Sequence, residues 1–304
     1  MAKNDRKFIM NIFDDITLII VTYNSDNLIK KNLDVLKKFK TIIVDNSNNS
    51  KIVSIIEDFK NIKYFKMNSN IGYGKANNFG ISKCDTELVL VVNPDIILNI
   101  KSILNLFENY MLYLNENIGL VAPSLYDNFQ NRRTNGTISF LKKNNKYKLN
   151  NSENNLIVGN TCCDFIVGCC FLINRKYFNK IGGFDENFFM YFEDNDLCDK
   201  IRNDKKSIIE ITSAKFVHLQ NSSYQKNFLI DIKLSLLHKI SECIYLKKNL
   251  SLSNFYKNIF LQSLDYFQRL IFNFITFRFN KSLKNLLRLI SILLFVTSLY
   301  KMIT

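Results

Sequence analysis

The chain of 304 residues has no tryptophan and only 2 prolines, and asparagine, lysine and isoleucine are abundant instead. This mixture is typical of an A/T-rich genome, so part of the lysine excess reflects codon usage. No internal repeat is present, and no nucleic-acid-binding motif accompanies the formal net charge of +14. With 47% hydrophobic and 22% charged residues, the composition excludes a disordered chain. It predicts one large domain with an appendage, or two domains.

The sequence also lacks a secretory signal, and its cysteines are odd in number, 7 in all. Both features predict reduced thiols and a cytoplasmic protein. The adjacent pairs Cys162-Cys163 and Cys169-Cys170 lack the gap of two to four residues that structural zinc sites use. Adjacent residues on a strand point to opposite faces. We therefore expect buried, unbridged cysteines rather than a zinc site.

No apolar run is long enough to cross a membrane. The last apolar segment has only 12 residues between Arg288 and Lys301, whereas a spanning helix needs about 20. From residue 225 onward the chain has 12 Lys and Arg against 3 acids, which is +9 of the total +14. We expect residues 226–304 to form basic amphipathic helices on an anionic membrane surface, following a main domain at 1–225. The alternative is a helical subdomain packed on the main domain or on a second copy of the chain.

Short apolar segments alternate with helical patterns in the first part of the chain, where strands are predicted at 16–22, 41–44, 62–66 and 87–92. This alternation predicts an α/β fold with parallel strands and right-handed crossovers. Asp127–Asn155 is polar and predicts a surface excursion. Further strands are predicted at 118–124, 164–173, 207–211 and 215–219.

Four polar side chains fall at or directly after the early strands: Asn24, Asp45, Asn70 and Asp95. In parallel sheets, ligands bind outside the carboxyl ends of the strands. The four residues therefore predict a polar ligand-binding crevice at one edge of the sheet.

An acidic segment follows the apolar run at 188–192 and contains Glu193, Asp194, Asp196 and Asp199. Mutual repulsion and partial desolvation would raise the pKa of one of these carboxyl groups, which is how a general base is made. The alternative is a solvated helix start, because acidic residues favour the first helical turn.

Six motifs follow one another in a recognisable order. They are Ile-Val-Thr-Tyr-Asn (20–24), Val-Asp-Asn-Ser (44–47), Asn-x-Gly-x-Gly-x-Ala-Asn-Asn-x-Gly (70–80), Asn-Pro-Asp (93–95), Gly-Gly-Phe-Asp-Glu-x-Phe-Phe-Met-Tyr-Phe-Glu-Asp-x-Asp-Leu-Cys (182–198) and a late histidine. Over residues 15–222 the chain resembles the family-2 glycosyltransferases, particularly their rhamnosyltransferase-like branch. The resemblance implies a GT-A fold with a Rossmann-like, mostly parallel sheet, a nucleotide-sugar donor and a divalent metal, Mn²⁺ or Mg²⁺.

By resemblance, the residues after the early strands bind the donor. Asp45 would accept a hydrogen bond from the pyrimidine base, and the backbone at Gly72 can approach the phosphates because glycine has no Cβ. The donor-binding residues so assigned are Thr22, Tyr23, Asn24, Asp45, Asn70, Gly72, Lys75, Asn93 and Asp95.

The metal site of the family is an Asp-x-Asp motif, and Asn93-Pro94-Asp95 takes its place here. The first acid is replaced by Asn93, so Asp95 is the one carboxylate ligand that remains in the motif. His218 matches a late histidine that completes the metal shell in some relatives, and an imidazole ligand would favour Mn²⁺. The alternative for His218 is a histidine at a strand end with no metal.

The resemblance assigns the catalytic base to Asp194, with Glu193 and Asp196 orienting the acceptor or tuning the base. Asp196 is the main rival for the role of base. Asp185 would cap the next segment or contact the acceptor.

The expected activity is an inverting, metal-dependent transfer of rhamnose or a similar hexose from a dTDP- or UDP-sugar. The acceptor would be a hydroxyl of a glycan or lipid-linked molecule, used in cell-surface polysaccharide synthesis at the inner face of the membrane. No nucleic-acid partner is expected. One alternative is a nucleotidyltransferase. The other is a non-catalytic nucleotide-sugar-binding scaffold, which is supported by Asn93 in place of an acid.

Overall fold

A computed structural model describes residues 12–48, 51–127, 131–133, 135–137, 159–219 and 228–298. The chain divides into two compact units. The sheet unit is Met1–Asp185 with Asp194–Tyr224, and the helical unit is Glu186–Glu193 with Gln225–Thr304. The division at residue 225 resembles the predicted one, but the helical unit also takes in a segment from the acidic motif.

The sheet unit alternates strands and helices as far as Val92, and several of its later strands pair antiparallel. Its elements are β1 (Ile16–Thr22), α1 (Asp26–Leu36), β2 (Lys40–Asp45), α2 (Ile52–Ile56), β3 (Ile62–Lys66), α3 (Tyr73–Ser82), β4 (Leu88–Val92), β5 (Ile96–Ile97), α4 (Ile100–Leu112), a 3₁₀ turn (Leu114–Glu116), β6 (Ile118–Tyr126), β7 (Arg132–Arg133), β8 (Gly136–Thr137), β9 (Thr161–Cys163), β10 (Phe165–Ile166), β11 (Cys170–Asn174), α5 (Arg175–Lys180), α6 (Glu193–Asn203) and β12 (Ser207–His218).

The main sheet has the order β3-β2-β1-β4-β11-β6-β12-β5. The first four strands pair in parallel, as predicted from the alternating pattern. Strand β11 then enters antiparallel between β4 and β6, and β5 is antiparallel to β12. Strands β6 and β12 pair in parallel again. The sheet is therefore mixed, with an unbroken parallel order only in its first four strands.

Both faces of the sheet are covered, which explains why β1, β2 and β4 are nearly continuous apolar runs. One face packs the buried residues of α1 and α4, and the other packs those of α3 and α6. Helix α3 approaches the sheet closely at Gly80, where an added Cβ would lie 3.0 Å from Ile19 and 3.1 Å from Val44. The loop before α3 is joined to the end of β2 by a hydrogen bond from the side-chain amide of Asn46 to the carbonyl of Gly72 at 3.2 Å.

Two strand predictions need correction. The predicted strand at 164–173 is two strands, because the chain turns between Ile166 and Cys170. The predicted strands at 207–211 and 215–219 are one strand, β12, with a register shift between Ile211 and Lys215 that absorbs the polar residues between them. The predicted excursion at 127–155 lies mostly outside the described residues.

The helical unit consists of three long helices, α7 (Phe228–Asn249), α8 (Leu252–Ile275) and α9 (Phe279–Val296), in the part of the tail that the structure describes. Ser251 caps α8, since its hydroxyl accepts the Asn254 amide at 3.4 Å. Many large apolar side chains of α8 and α9 are exposed. Among the described helices, none is long and apolar enough to span a bilayer.

All seven cysteines lie in described segments, and none is bridged. Burial was predicted for both adjacent pairs, and it holds for Cys169 and Cys170. Cys162 is exposed instead and Cys163 is half-buried; both lie on β9, for which pairing with β12 is the one ladder in the described part of the chain.

Candidate active site

The pairing of β5 with β12 brings Asp95 and His218 together. His218 lies opposite Ile96 in this ladder, and the amide of Leu219 donates to the carbonyl of Asp95 at 2.9 Å. His218 Nε2 therefore lies 3.4 Å from Asp95 Oδ2. The two residues predicted to share a metal ion thus meet at the carboxyl end of β4.

Asn32 on α1 supports this loop, and the sequence analysis missed it. Its amide nitrogen donates to the carbonyl of Ile96 at 2.7 Å, and its amide oxygen accepts from the amide of Leu98 at 2.9 Å. The side chain is 2% exposed. Asn32 could have been identified from the sequence, because it is a polar residue on the apolar face of an amphipathic helix.

The donor atoms at this edge fit a hard or borderline divalent ion. Asp95 supplies carboxylate oxygen, His218 an imidazole nitrogen, and the buried amide oxygen Oδ1 of Asn93 has no hydrogen-bond partner among the described residues. A buried acceptor without a partner is costly unless a ligand completes it. Within the described segments, no cluster of three or more His, Cys, Asp or Glu side chains surrounds a common point. Protein side chains alone would therefore leave coordination positions for donor oxygens or water.

The turn before β11 connects the metal edge to the acidic motif. The Asn93 amide donates to the carbonyl of Cys169 at 2.8 Å, and the neighbouring Gly168 amide donates to Asp194 Oδ2 at 3.1 Å. Burial raises the pKa of the Cys169 thiol, and the negative charges of Asp95 and Asp194 raise it further. The hydrogen bonds of Asn93 to Cys169 and of Gly168 to Asp194 therefore join the loop that carries Asp95 to the start of α6 through one turn.

Asp194 has the environment expected of a base. Burial raises the pKa of its carboxyl group, while hydrogen bonds from Gly168 and Asn195 oppose that rise by stabilising the anion. The Asn195 amide donates to Oδ1 at 2.8 Å. A Cβ on Gly168 would lie 2.8 Å from the Cβ of Asp194, so the close approach of Asp194 to this turn requires glycine.

The other acids of the motif have different surroundings. Asp196 is 2% exposed, and Lys200 Nζ lies 3.1 Å from its Oδ2. Asp199 pairs with Arg202 at 2.8 Å. Glu193 opens α6 and belongs to the helical unit. Helix α6 thus starts in the acidic run, but the start is not solvated as the alternative interpretation expected, because Glu193, Asp196 and Asp199 are buried. Asp194 differs from Asp196 in having no ion pair in the described contacts.

Asp45 is fully buried at the end of β2 and organises the strand ends around it. Its Oδ1 accepts hydrogen bonds from the Thr22 hydroxyl at 3.0 Å and from the amide and hydroxyl of Ser47 at 2.9 and 2.5 Å. The Tyr64 hydroxyl donates to Oδ2 at 2.8 Å. Two of the predicted donor residues, Thr22 and Asp45, therefore form one hydrogen-bonded group.

The turn after β1 joins this group. Asn24 adopts a left-handed φ of 52°, which asparagine tolerates better than most residues. Its amide donates to the hydroxyl of Ser47 at 2.7 Å, and Tyr23 is 46% exposed beside it.

The loop before α3 is also fixed by hydrogen bonds. Gly72 has φ 88°, which suits glycine, and its amide donates to Asn70 Oδ1 at 3.0 Å. Lys75 is exposed in the first turn of α3. The hydroxyl of Tyr73 donates to the carbonyl of Gly168 at 2.7 Å. This bond, which the sequence analysis missed, ties the predicted donor loop to the turn that holds Asp194.

A pocket of about 430 Å³ opens directly beyond β2 and β3. Its size falls in the range of about 300–1,000 Å³ that small-molecule sites occupy. Asp95 and Asp194 do not line it. The lining residues are Ser47, Asn48, Lys66, Met67 and Asn68, and their position after two strand ends was the sequence signal for them.

Two family models match the chain. The model described as glycosyl transferase family 2 covers residues 17–182, and the model described as the N-terminal domain of galactosyltransferase covers residues 161–222.

The curated relatives include two transferases. The low-salt glycan biosynthesis hexosyltransferase Agl10 of Haloferax volcanii is 28% identical over 241 residues, which is 73% of this chain and 75% of the relative. The rhamnosyltransferase WbbL of Escherichia coli K12 is 27% identical over 206 residues, which is 60% of this chain and 74% of the relative.

Solved structures share the fold. TarS 1–349 of S. aureus in complex with UDP-GlcNAc superposes with a TM-score of 0.52 at 16% identity, over 79% of this chain and 69% of that one. GalNAc-T7 with UDP, GalNAc and Mn²⁺ gives 0.51 at 12% identity, over 70% of this chain and 44% of that one. The GT-A fold inferred from the motifs is confirmed. With a family model matched across more than half of its length, the chain belongs to glycosyl transferase family 2.

Proposed function

We propose that the protein is an inverting, metal-dependent glycosyltransferase that moves rhamnose or a similar hexose from a dTDP- or UDP-sugar to a hydroxyl group. The acceptor is a glycan or lipid-linked molecule used to build a cell-surface polysaccharide. The observation that carries the proposal is the turn before β11, whose hydrogen bonds to Asn93 and to Asp194 link the Asp95–His218 pair to Asp194. The relatives support the substrate class, since one is called a rhamnosyltransferase and another an N-acetylglucosaminyl-diphospho-decaprenol L-rhamnosyltransferase.

Asp95, His218 and the buried amide oxygen of Asn93 would hold Mn²⁺ or Mg²⁺. When bound, such an ion neutralises the diphosphate that leaves. The structural relative GalNAc-T7, which was solved with UDP, GalNAc and Mn²⁺, supports the use of an ion of this kind. Asp95 and the imidazole of His218 are presented side by side by the β5–β12 ladder, so little reorganisation is needed on binding.

Asp194 takes the proton of the acceptor hydroxyl. As that oxygen bonds to the anomeric carbon, the bond from this carbon to the diphosphate oxygen breaks, and the nucleoside diphosphate leaves from the opposite face. A single displacement of this kind inverts the anomeric carbon. The raised pKa of the Asp194 carboxyl group makes its anion a better proton acceptor than an ordinary aspartate.

The nucleoside part of the donor would lie in the pocket beyond β2 and β3. Ser47, held by Asp45, lines this pocket. Asp45 Oδ2, which accepts a hydrogen bond from Tyr64, is the atom through which a pyrimidine imide would be recognised. Tyr23, Asn24, Asn70, Gly72 and Lys75 complete the donor side at neighbouring loop ends.

The helical unit would dock on the inner face of an anionic membrane. Large apolar side chains recur along α8 at helical spacing and are exposed, as are several on α9, whereas Ser282, Asn285 and Ser291 of α9 are buried. Both helices also bury apolar residues, among them Phe255 of α8 and Leu287 and Phe295 of α9. The exposed apolar side chains suit helices that lie in lipid headgroups. Exposed Lys281 and Lys284 match the charge of anionic lipids. A second copy of the chain is the competing occupant of this surface.

A donor panel tests the activity. The protein is mixed with dTDP-, UDP- and GDP-sugars and a polyprenyl-diphosphate glycan acceptor, with Mn²⁺, with Mg²⁺ or with EDTA. We expect transfer with inversion, which needs the divalent ion and falls by about 10³-fold or more in Asp95→Asn and Asp194→Asn. Asp199→Asn, whose carboxylate is paired with Arg202, is the matched control.

The outcomes separate the alternatives. Nucleotide-sugar binding without transfer or hydrolysis across the panel would make the protein a scaffold. Pyrophosphate release from a nucleoside triphosphate would make it a nucleotidyltransferase. Wild-type transfer in both Asp95→Asn and Asp194→Asn would reject the mechanism.

A further inference from the structure

The segment before the acidic motif has an unusual backbone. Tyr191 and Phe192 are consecutive, neither is glycine, and both have left-handed φ values of 71° and 65°. L-residues avoid this region because Cβ crowds the backbone carbonyl, so two in succession are held there by their surroundings. Phe192 is 5% exposed, which agrees with a segment that is packed on several sides.

Helix α7 supplies the contacts that hold this segment, and both belong to the helical unit. The Ser241 hydroxyl donates to the carbonyl of Met190 at 2.7 Å. The ring of Phe192 contacts His238 and Tyr245, each with a centroid separation of 5.4 Å. The ring of Tyr191 lies 5.1 Å from that of His238.

These three residues of α7 recur at intervals of three and four, so they form one face of the helix. The position of that face is itself fixed by a buried polar group. Lys239 is 2% exposed and donates to Glu242 at 2.9 Å, to Gln262 and to the hydroxyl of Tyr266 at 3.3 Å. Buried ion pairs with several hydrogen bonds tolerate few alternative registers. Helix α8 thereby sets the rotation of α7.

We infer that His238, Ser241 and Tyr245 are positioning residues for the reaction. They hold the strained Tyr191–Phe192 backbone, from which Glu193 and Asp194 follow directly in the chain. Residues of α7 would thereby influence the backbone that leads into α6. This inference rests on the proposed function, because Asp194 is taken to be the base.

The test compares Ser241→Ala with Ser235→Ala in the full-length protein. Ser235 lies on the same helix, is partly exposed, and donates to the carbonyl of Asp231 four residues earlier. A second pair is His238→Ala, which loses the ring contacts, and His238→Phe, which keeps an aromatic ring. The readouts are backbone amide hydrogen exchange at residues 190–193 and the kcat and KM of sugar transfer.

We expect exchange at residues 190–193 to become about tenfold faster in Ser241→Ala and His238→Ala, as the loss of one net hydrogen bond allows. Their kcat should fall by about tenfold or more with donor KM within twofold, because the base is misplaced and the donor site is untouched. Ser235→Ala and His238→Phe should match the wild type in both readouts.

Unchanged exchange and unchanged kcat in both Ser241→Ala and His238→Ala would overturn the inference. Faster exchange with an unaltered kcat would overturn the catalytic part. If the wild type shows no transfer with any donor, the proposed function fails, and the exchange data alone then decide whether α7 holds the segment.

Discussion

At the scale of single residues, the site depends on two opposing influences on one carboxyl group. Burial disfavours the charge on Asp194, and donors from Gly168 and Asn195 stabilise it. The balance leaves the pKa above that of ordinary aspartate, so the anion binds a proton more tightly than an ordinary aspartate does. Removing either influence would change the pKa of the Asp194 carboxyl group without requiring a change of fold.

The first prediction concerns the turn that donates to the base. Gly168→Ala would put a Cβ 2.8 Å from that of Asp194, so the carboxylate must move. We expect kcat to fall by about 10- to 100-fold with donor KM nearly unchanged. Steady-state kinetics measure both, and Val167→Ala at the exposed neighbouring position is the control. A kcat within twofold of the wild type would show that the base does not depend on this approach.

The second prediction concerns pH. Because the folded-state pKa of Asp194 is raised above its usual 3.8, the base is lost as pH falls through that raised value. Activity should decline on the acid side with a midpoint above 3.8. For stability the sign is opposite, since a raised folded pKa contributes stability below the unfolded pKa and loses it as pH rises. A pH profile of kcat that stays flat down to pH 4 would contradict the assignment.

At the scale of secondary structure, the sequence was informative where patterns are local. Strands β1 to β4 follow from apolar runs, and their ends correctly predicted where Asp45 and Asp95 lie. The two-residue strand β5 could not be predicted from the sequence, because it is defined by its pairing with the distant strand β12. The role of Asn32 was missed for a similar reason, since its partners Ile96 and Leu98 are more than sixty residues away in the chain.

The third prediction tests that long-range support. Asn32→Leu would leave the buried carbonyl of Ile96 and the amide of Leu98 without their partner. Each loss costs about 1–3 kcal/mol, so the free energy of unfolding should fall by about 2 kcal/mol or more in urea titrations. Metal-dependent activity should weaken as the Asp95 loop loosens. Asn27→Leu, at an exposed position of the same helix, should change the stability by less than about 0.5 kcal/mol.

At the scale of the whole molecule, the helical unit complicates the simplest test of membrane docking. The contacts of Phe192 with His238 and Tyr245 mean that truncation near residue 225 would also remove the support of residues 190–193. If the proposed membrane docking is correct, we expect a truncated chain to lose vesicle binding, stability and activity together. Composition alone predicted the basic tail but could not reveal this link, because the apolar run at 188–192 is separated from α7 by the whole of α6 and β12.

Surface substitutions separate the two roles of the helical unit. Phe260 and Phe267 of α8 are 63% and 54% exposed, so Phe260→Asp with Phe267→Asp should abolish cosedimentation with phosphatidylglycerol vesicles without unfolding the unit. Lys281→Glu with Lys284→Glu should weaken binding to these vesicles by about 2 kcal/mol or more, near 1 kcal/mol for each charge removed. Binding to phosphatidylcholine should change little. Leu112→Asp, at a 69% exposed position of α4, is the matched control.

Amide exchange at residues 190–193 should stay at the wild-type rate in all these variants, because none of them touches the face of α7 that holds the segment. Activity on a water-soluble acceptor should therefore persist while activity on vesicle-embedded acceptor falls. If the phenylalanine variant binds vesicles normally but becomes monomeric where the wild type is dimeric in analytical ultracentrifugation, the exposed face is an interface between copies. Lys281 and Lys284 would then contact the second copy or the acceptor rather than anionic lipid.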